Sequence, residues 1–447
     1  MGCFNSKSRD ERGTKKKPGQ AGEVAVFVPG LRIPRSIDFG RSLQGYLSPG
    51  MIERLSALRT RIVVMAAGEG SSATKPKRKT ATQHGGSTVA DLQQALEDYL
   101  PLLLGLTREG SRLKDLVEFV WVNQEDDKQE TAISNVWYEV LSVLHMMAML
   151  SLSQANFLLI PKAPVDGYQP KVTEENKKAA IDIFLKAAGY LDCAVRRIFP
   201  QIPQDVKSML PADLKEGVLQ ALAVQALGQG VDIQLGLAID NAKATLAVKR
   251  RLACEEVKYW NQAQDSTSDL PLGSEWGEKH RLFIKWKHAE AKAAAYYYHG
   301  LILDEGNGEN THANAVASLQ AADQFLKESK KACTEFCQAA PTTSVPPLWG
   351  AMKYLSEKIP KDASSKARIN RDVYSREKVP ETPPKLPDFS VALKPSEYEL
   401  PPIDQSWKEE VNMQPFTVPS LEENKRDGKL ENLQIDQIKI ERRPSAV

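Results

Sequence analysis

The chain has 447 residues, with 59 Lys+Arg against 57 Asp+Glu, a formal net charge of +2, and 42% hydrophobic residues. So small a net charge excludes a general nucleic-acid binder, and the composition is that of a globular chain forming one large or several ordinary domains. The five cysteines (Cys3, Cys193, Cys254, Cys333, Cys337) are odd in number, which argues against a disulfide framework and fits a reducing cytosol.

The N-terminus reads Met1-Gly2-Cys3-Phe4-Asn5-Ser6. Loss of Met1 would expose Gly2 as an N-myristoyl acceptor, with Ser6 at the small-hydroxyl position, and Cys3 stands ready for S-palmitoylation. One myristoyl chain binds a membrane with K of roughly 10⁴ M⁻¹, so a stable anchor needs a second signal. Cys3 supplies one. A basic run of Lys7, Arg9, Arg12, Lys15, Lys16 and Lys17 supplies another, each cation contributing about 1 kcal/mol near an anionic leaflet. No apolar stretch of the secretory kind is present here. Residues 1–22 are expected to form a flexible lipid-anchor arm.

Glu23 to Val28 alternates and is β-rich, and Pro29, Gly30 and Pro34 punctuate the next few positions, so short strands are expected. Ser48 can cap a first helix over about 51–65, with Pro49 in its first turn. Residues 66–88 lack apolar periodicity and carry Lys75, Lys77, Arg78 and Lys79, which predicts a disordered basic loop. From Thr88 to about Ala367 the pattern is almost wholly helical. Helices are expected over 88–106, 135–160, 174–198, 278–304, 311–340 and 346–359, and over 215–260 either as two or as one broken near Gly228-Gln229-Gly230. Val140 to Ile160 is long enough to cross a bilayer, but Ser142, His145, Ser151, Ser153, Gln154 and Asn156 favour a buried helix of an all-α protein. Recurrent small residues, as in 187–189, 291–295 and 313–322, favour stacked helical hairpins over a coiled coil. After Pro380, closely spaced prolines predict extended chain. Its interleaved Leu386, Phe389, Val391, Leu393, Tyr398 and Leu400 predict that this arm, 380–405, lies back on the body. A polar tail is expected over 406–447.

No pattern for chemistry stands out. Arg61 to Ala73 imitates a strand entering a dinucleotide loop, with Asp91 near the acidic position, but Lys75-Pro76 follows the glycines where a helix is required. Cys333 and Cys337, at i and i+4, would make half a zinc site, and two reduced packing thiols are the simpler reading. His84, His145, His280, His288, His299 and His312 are scattered. The aromatic and basic run Trp276, Lys279, Arg281, Lys285, Trp286, Lys287 and Tyr296 to Tyr298 reads as a packed face with a basic exterior rather than a nucleic-acid surface. No enzyme, cofactor or metal is expected.

Taken in order, several segments resemble the Bro-one (Alix-like) domain of endosomal sorting. These are Phe119-Val-Trp121, then Trp137 to Ala155, Phe184 to Tyr190, Asp213-Leu, Leu219 to Leu222, Leu227-Gly-Gln-Gly-Val-Asp232, and Val373-Tyr374 with Val379-Pro380. The resemblance covers about residues 24–405, so residues 23–405 are taken as one domain. It departs from the family at Gly228, Gly230 and Val231. With no V-shaped coiled-coil domain or long Pro-rich tail following, the likeness is to a stand-alone, plant-type Bro-one-like protein with an N-terminal lipid anchor. It implies an all-α curved helical solenoid with a tetratricopeptide-like core, a short N-terminal β segment and an extended Pro-rich C-terminal arm. It further implies capture of an amphipathic ESCRT-III helix, through a partner-helix groove formed by Leu219, Leu222, Gln225, Ala226 and Gln229. The expected protein is a non-catalytic adaptor on the cytosolic face of the plasma membrane or endosomes. The alternative is a lipid-anchored scaffold for signalling complexes without ESCRT-III binding.

Overall fold

The computed structural model describes residues 26–72, 89–108, 112–123, 130–160, 172–268, 270, 275–306, 308, 310–346, 348–373 and 378–413. Gly2, Cys3, the basic residues 7–17, the basic loop from 73 on and the tail beyond 413 lie outside the described residues.

Strand β1 (Arg32–Pro34) leads into the short helix α1 (Phe39–Leu43), then α2 (Pro49–Ser72) and α3 (Val89–Leu104). The hydroxyl of Ser48 accepts from the Met51 N–H at 3.3 Å, as its capping role requires. Residues 66–72, expected to belong to the basic loop, continue α2. Strands β2 (Phe119–Asn123) and β3 (Glu130–Ile133) complete an antiparallel sheet in the order β1-β2-β3, with Ile33 opposite Val122 and Trp121 opposite Thr131. The sheet interrupts a stretch expected to be helical. Its cause is a run of β-branched and aromatic residues, Phe119-Val-Trp-Val, that buries Phe119 and Trp121. Of the expected strand over 23–28, the described residues 26–28 are not in a strand. Val26 and Phe27 instead act as single plugs: the Val26 N–H donates to Asn156 Oδ1 at 2.8 Å, and the Phe27 ring packs 5.4 Å from His280 and 5.6 Å from Phe283.

Helix α4 (Val136–Leu159) begins where Asn135 Oδ1 accepts the Trp137 N–H at 3.0 Å. It is apolar on every side and nearly all buried, a core helix rather than a membrane span. Its first turn carries the fully buried Glu139, which takes Arg59 Nε at 2.8 Å, Trp121 Nε1 at 2.6 Å and the Tyr99 hydroxyl at 3.3 Å. One carboxylate thereby joins α2, α3, β2 and α4. Burial opposes the Arg59 charge, but Glu139 outweighs it and the pKa rises. Removing either partner would strand a buried charge, at a cost of about 3–5 kcal/mol.

The remaining helices are α5 (Glu174–Cys193), continued by a π-helical turn at Ala194–Ile198, α6 (Gln204–Met209), α7 (Glu216–Asp240), α8 (Leu246–Thr267), α9 (Glu275–Asp304), α10 (Thr311–Gln338) and α11 (Met352–Val373). Packing runs mainly in sequence: α4 on α5, α5 on α7, then α7 through α11 each on the next. Such stacking of successive helices is solenoid-like. The break expected near Gly228 falls at residues 241–245, where Thr245 Oγ1 caps α8 by accepting the Val248 N–H at 3.3 Å. Gly228 stays helical because Trp260 of α8 lies against it, and a Cβ there would sit 3.1 Å from the indole. Helix α11, expected over 346–359, begins at Met352 and runs through Pro360 to Val373.

From residue 378 to 405 the chain has no helix or strand, and Val391, Leu393, Tyr398 and Leu400 pack on the main core. Residues 406–413, expected to begin the polar tail, form α12 (Ser406–Met413). Its buried Trp407 donates to the Leu102 carbonyl at 2.9 Å, so the arm ends latched on α3.

Three buried histidines set an acid limit. Burial lowers His145 to about 4, His280 to about 3 and His288 to about 4. The unfolded chain protonates these rings near the ordinary 6.5 and the folded chain does not, so their contribution is complete above 6.5 and is lost as pH falls toward 4. Neither nitrogen of His145 has a hydrogen-bond partner among the described residues. Substitution His145→Leu should therefore raise stability by about 1–3 kcal/mol at neutral pH. It should also flatten the fall of Tm between pH 6.5 and 4.5, as calorimetry across that range would record.

Candidate partner-binding cleft

The sequence-predicted groove residues sit on α7, and all of them are interior. Leu219, Leu222, Gln225, Ala226 and Gln229 are each 0% exposed. Leu219, Leu222 and Ala226 belong to the main core. The Gln225 side chain donates to the Phe27 carbonyl at 3.0 Å and meets His280 Nε2 at 2.8 Å and Gln229 Oε1 at 3.5 Å. Residues 26–27 and α9 close over this face, so none of the five is open to a partner. The reason is the composition of α7: apolar on every face, it gives no periodic sign of which side is covered.

The outward face of the same helix lies one step around. Gln220, Ala223, Val224 and Leu227 line an open cleft of about 640 Å³. Its second wall is the end of α5 and the π-helical turn, through Cys193, Val195 and Arg197; its third is Tyr259 and Gln262 of α8. The arm closes the fourth side, from Val391 to Glu399.

Helix α8 holds the arm through side chains that point out of its packed face. Glu255 Oε1 accepts the Ala392 and Leu393 N–H groups at 2.6 and 3.0 Å, and the Tyr259 hydroxyl donates to the Leu393 carbonyl at 2.5 Å. Lys258 bonds the Phe389 carbonyl. From the other side, the Ser396 N–H donates to the Leu185 carbonyl at 2.9 Å, and Tyr398 stacks edge-on against Tyr190 at 4.7 Å. Extended chain with no ladder of its own thus has its polar backbone satisfied by the helices.

The cleft combines an apolar interior with a charged edge. Its floor is aliphatic, from Val224, Leu227, Val391 and Leu393, and its rim is mixed, with Arg196, Arg197 and Lys394 near Asp192, Glu397 and Glu399. Burial pushes the Cys193 thiol up to about 11 and raises the Tyr259 phenol with help from Glu255, so both stay protonated at neutral pH. Cys333 and Cys337 are free thiols on α10, and no cluster of metal-ligating side chains occurs among the described residues. Trp286, Lys287, Tyr297 and Tyr298 are buried, so that part of the aromatic and basic run is packed interior. An apolar trough of this size on a rigid helical stack suits an amphipathic helix. Sequence reading missed the π-helical turn and Glu255. An acid on the packed face of α8, one turn before Tyr259, was the available sign.

The stacked helices, the small N-terminal sheet and the returning arm define a mainly helical, solenoid-like fold. The BRO1-like domain model matches residues 72–417, and the chain belongs to the BRO1-like (Bro-one) domain family. Two solved structures share its fold. The ALIX BRO1 domain in the ALIX BRO1–CHMP4C complex aligns with a TM-score of 0.55 at 16% identity, covering 85% of this chain and 98% of that one. ALIX in complex with the SIVmac239 PYKEVTEDL late domain aligns with a TM-score of 0.53 at 16% identity, covering 86% of this chain and 50% of that one. No curated protein sequence matches the chain.

If Glu255 holds the arm at residues 392–393, Glu255→Ala should leave the helices folded and loosen the arm there, while its other attachments keep it on the body. Amide exchange at Ala392 and Leu393 should accelerate about tenfold or more, the equivalent of roughly 1–3 kcal/mol for hydrogen bonds to a charged group. Unchanged protection at both amides would refute that assignment.

Proposed function

We propose that this protein is a non-catalytic adaptor of endosomal sorting that captures an amphipathic helix of an ESCRT-III subunit in the cleft between α5, α7, α8 and the arm. The observation that carries this reading is the aliphatic floor of Val224, Leu227, Val391 and Leu393 inside a BRO1-like fold. The structural relative that matches over most of its length is a BRO1 domain in complex with CHMP4C. The departures at Gly228, Gly230 and Val231 are interior, and Gly230 lies directly against Leu393 of the cleft floor. In this reading, acylation of Gly2 and Cys3, aided by Lys7, Arg9, Arg12, Lys15, Lys16 and Lys17, holds the adaptor on the cytosolic face of the plasma membrane or endosomes.

The full chain should bind a fluorescent peptide of the CHMP4C C-terminal helix with a micromolar, saturable isotherm. Val224 is partly buried where it borders the cleft, so Val224→Asp, with its fold checked by circular dichroism, should weaken the peptide by about tenfold or more, as for loss of a central interface anchor. Equal affinity in a folded variant would move the site elsewhere. Membrane attachment is read separately: Gly2→Ala should shift the protein from the membrane to the soluble fraction of cells, and unchanged fractionation would refute the acyl anchor.

A further inference from the structure

The far end of the arm is fastened by a second acid, and the partner of that acid is a serine followed by proline. Helix α12 is eight residues long. Its Trp407 is buried and donates to the Leu102 carbonyl at 2.9 Å, and a Cβ at Gly105 would collide with the indole. Arg108 donates to the Trp407 carbonyl at 3.1 Å. One turn further on, the buried Glu410 meets the start of α2. Its Oε2 accepts the Ser48 hydroxyl at 2.6 Å, and its Oε1 accepts the Ser48 N–H. No cation pairs with Glu410 among the described residues, so Ser48 is what holds this carboxylate in place.

Ser48 stands in the sequence Leu47-Ser48-Pro49-Gly50. Serine followed by proline is the dipeptide that proline-directed Ser/Thr protein kinases require, and Thr382-Pro383 is the one other such pair in the chain. Pro49 and Gly50 are exposed on one side of Ser48, and Gln44, Gly45 and Tyr46 on the other. Ser48 itself is half-buried, and its hydroxyl is engaged by Glu410. A helix of two turns that packs through one tryptophan opens at far lower cost than the core helices, and each opening frees that hydroxyl.

Transfer of the γ-phosphoryl group of ATP forms a bond from Ser48 Oγ to phosphorus and breaks the bond from phosphorus to the ADP oxygen. The hydroxyl proton passes to the base of the kinase. The product carries a charge of about −1.5 to −2 at pH 7 and has no hydroxyl proton to donate. An anion then stands where Glu410 had its donor. The phosphate is covalent and lies at the positive end of α2, so the carboxylate is the group that leaves. Glu410 cannot leave alone: Trp407 is three residues earlier on the same short helix, and the two move together.

We propose that Ser48 is a phosphorylation site for a proline-directed Ser/Thr kinase and that its phosphate releases α12 from α2 and α3. Release of α12 is independent of what the cleft binds, because residues 391–399 have their own attachments to α5 and α8. The test treats the full chain carrying Thr382→Ala with a cyclin-dependent or mitogen-activated kinase and Mg·ATP, and locates phosphate by tandem mass spectrometry. One phosphate on Ser48 is expected. It should be absent from Ser48→Ala and incorporated faster in Trp407→Ala, whose latch is weakened. Amide exchange over residues 404–410 should accelerate about tenfold or more on phosphorylation. In Glu410→Gln the same phosphate should accelerate exchange far less, relative to that variant's own unmodified form, because no like charge faces it. No phosphate on Ser48 even in Trp407→Ala would overturn the proposal. So would full phosphorylation with unchanged exchange over 404–410, or an equal acceleration in Glu410→Gln.

Discussion

The burial of α7 is the constraint on which the rest of the architecture depends. This helix is apolar around its whole circumference, so every side of it needs a neighbour. Helices α5 and α8 flank it. Residues 26–27 and α9 cover Gln225. Leu393 of the arm lies against Gly230, and Gly350, just before α11, against Gly236. Segments far apart in sequence therefore converge on one rod, and small residues along it allow each to approach closely.

Carboxylates turn that convergence into a single arrangement. Asp213 receives Arg32 at 3.0 Å, tying the first strand to the approach to α7. Glu139 gathers Arg59, Trp121 and Tyr99; Glu255 takes two backbone N–H groups of the arm; Asp232 takes that of Ala351. Replacing a whole buried ion pair such as Arg32–Asp213 with hydrocarbon often costs nothing in stability, so the contribution of such pairs is better understood as register. Each acid accepts from donors at one depth and one direction. A loop that slipped by a residue would leave both the acid and its backbone donors unpaired in the interior.

Periodicity carried most of this fold. The helices expected over 135–160, 174–198, 278–304 and 311–340 run over 136–159, 174–193, 275–304 and 311–338, the second continued to 198 by the π-helical turn. The arm was legible for a different reason: apolar residues placed between prolines have no purpose in a solvated linker. The binding face was not legible. On a helix as uniformly apolar as α7, Leu222 and Val224 look alike in sequence, yet one is fully buried and the other borders the cleft. Leu222 is enclosed by the main core, whereas Val224 shares the cleft with Leu393, more than 160 residues away along the chain. A short N-terminal β segment was expected, but its partners at 119–123 and 130–133 escaped, since strands of four or five residues leave little alternation to detect.

The same rod meets two backbone segments that carry no secondary structure of their own. Beside Val224 and Leu227, Glu255 and Tyr259 of the neighbouring α8 hold the arm, and little more than a turn further along α7 Asp232 holds the Ala351 N–H. In each case a buried acid fixes chain that no ladder of hydrogen bonds could fix, so what stands beside α7 is decided by where that acid falls on the helix, and a shift of one residue would leave donors and acceptor unpaired.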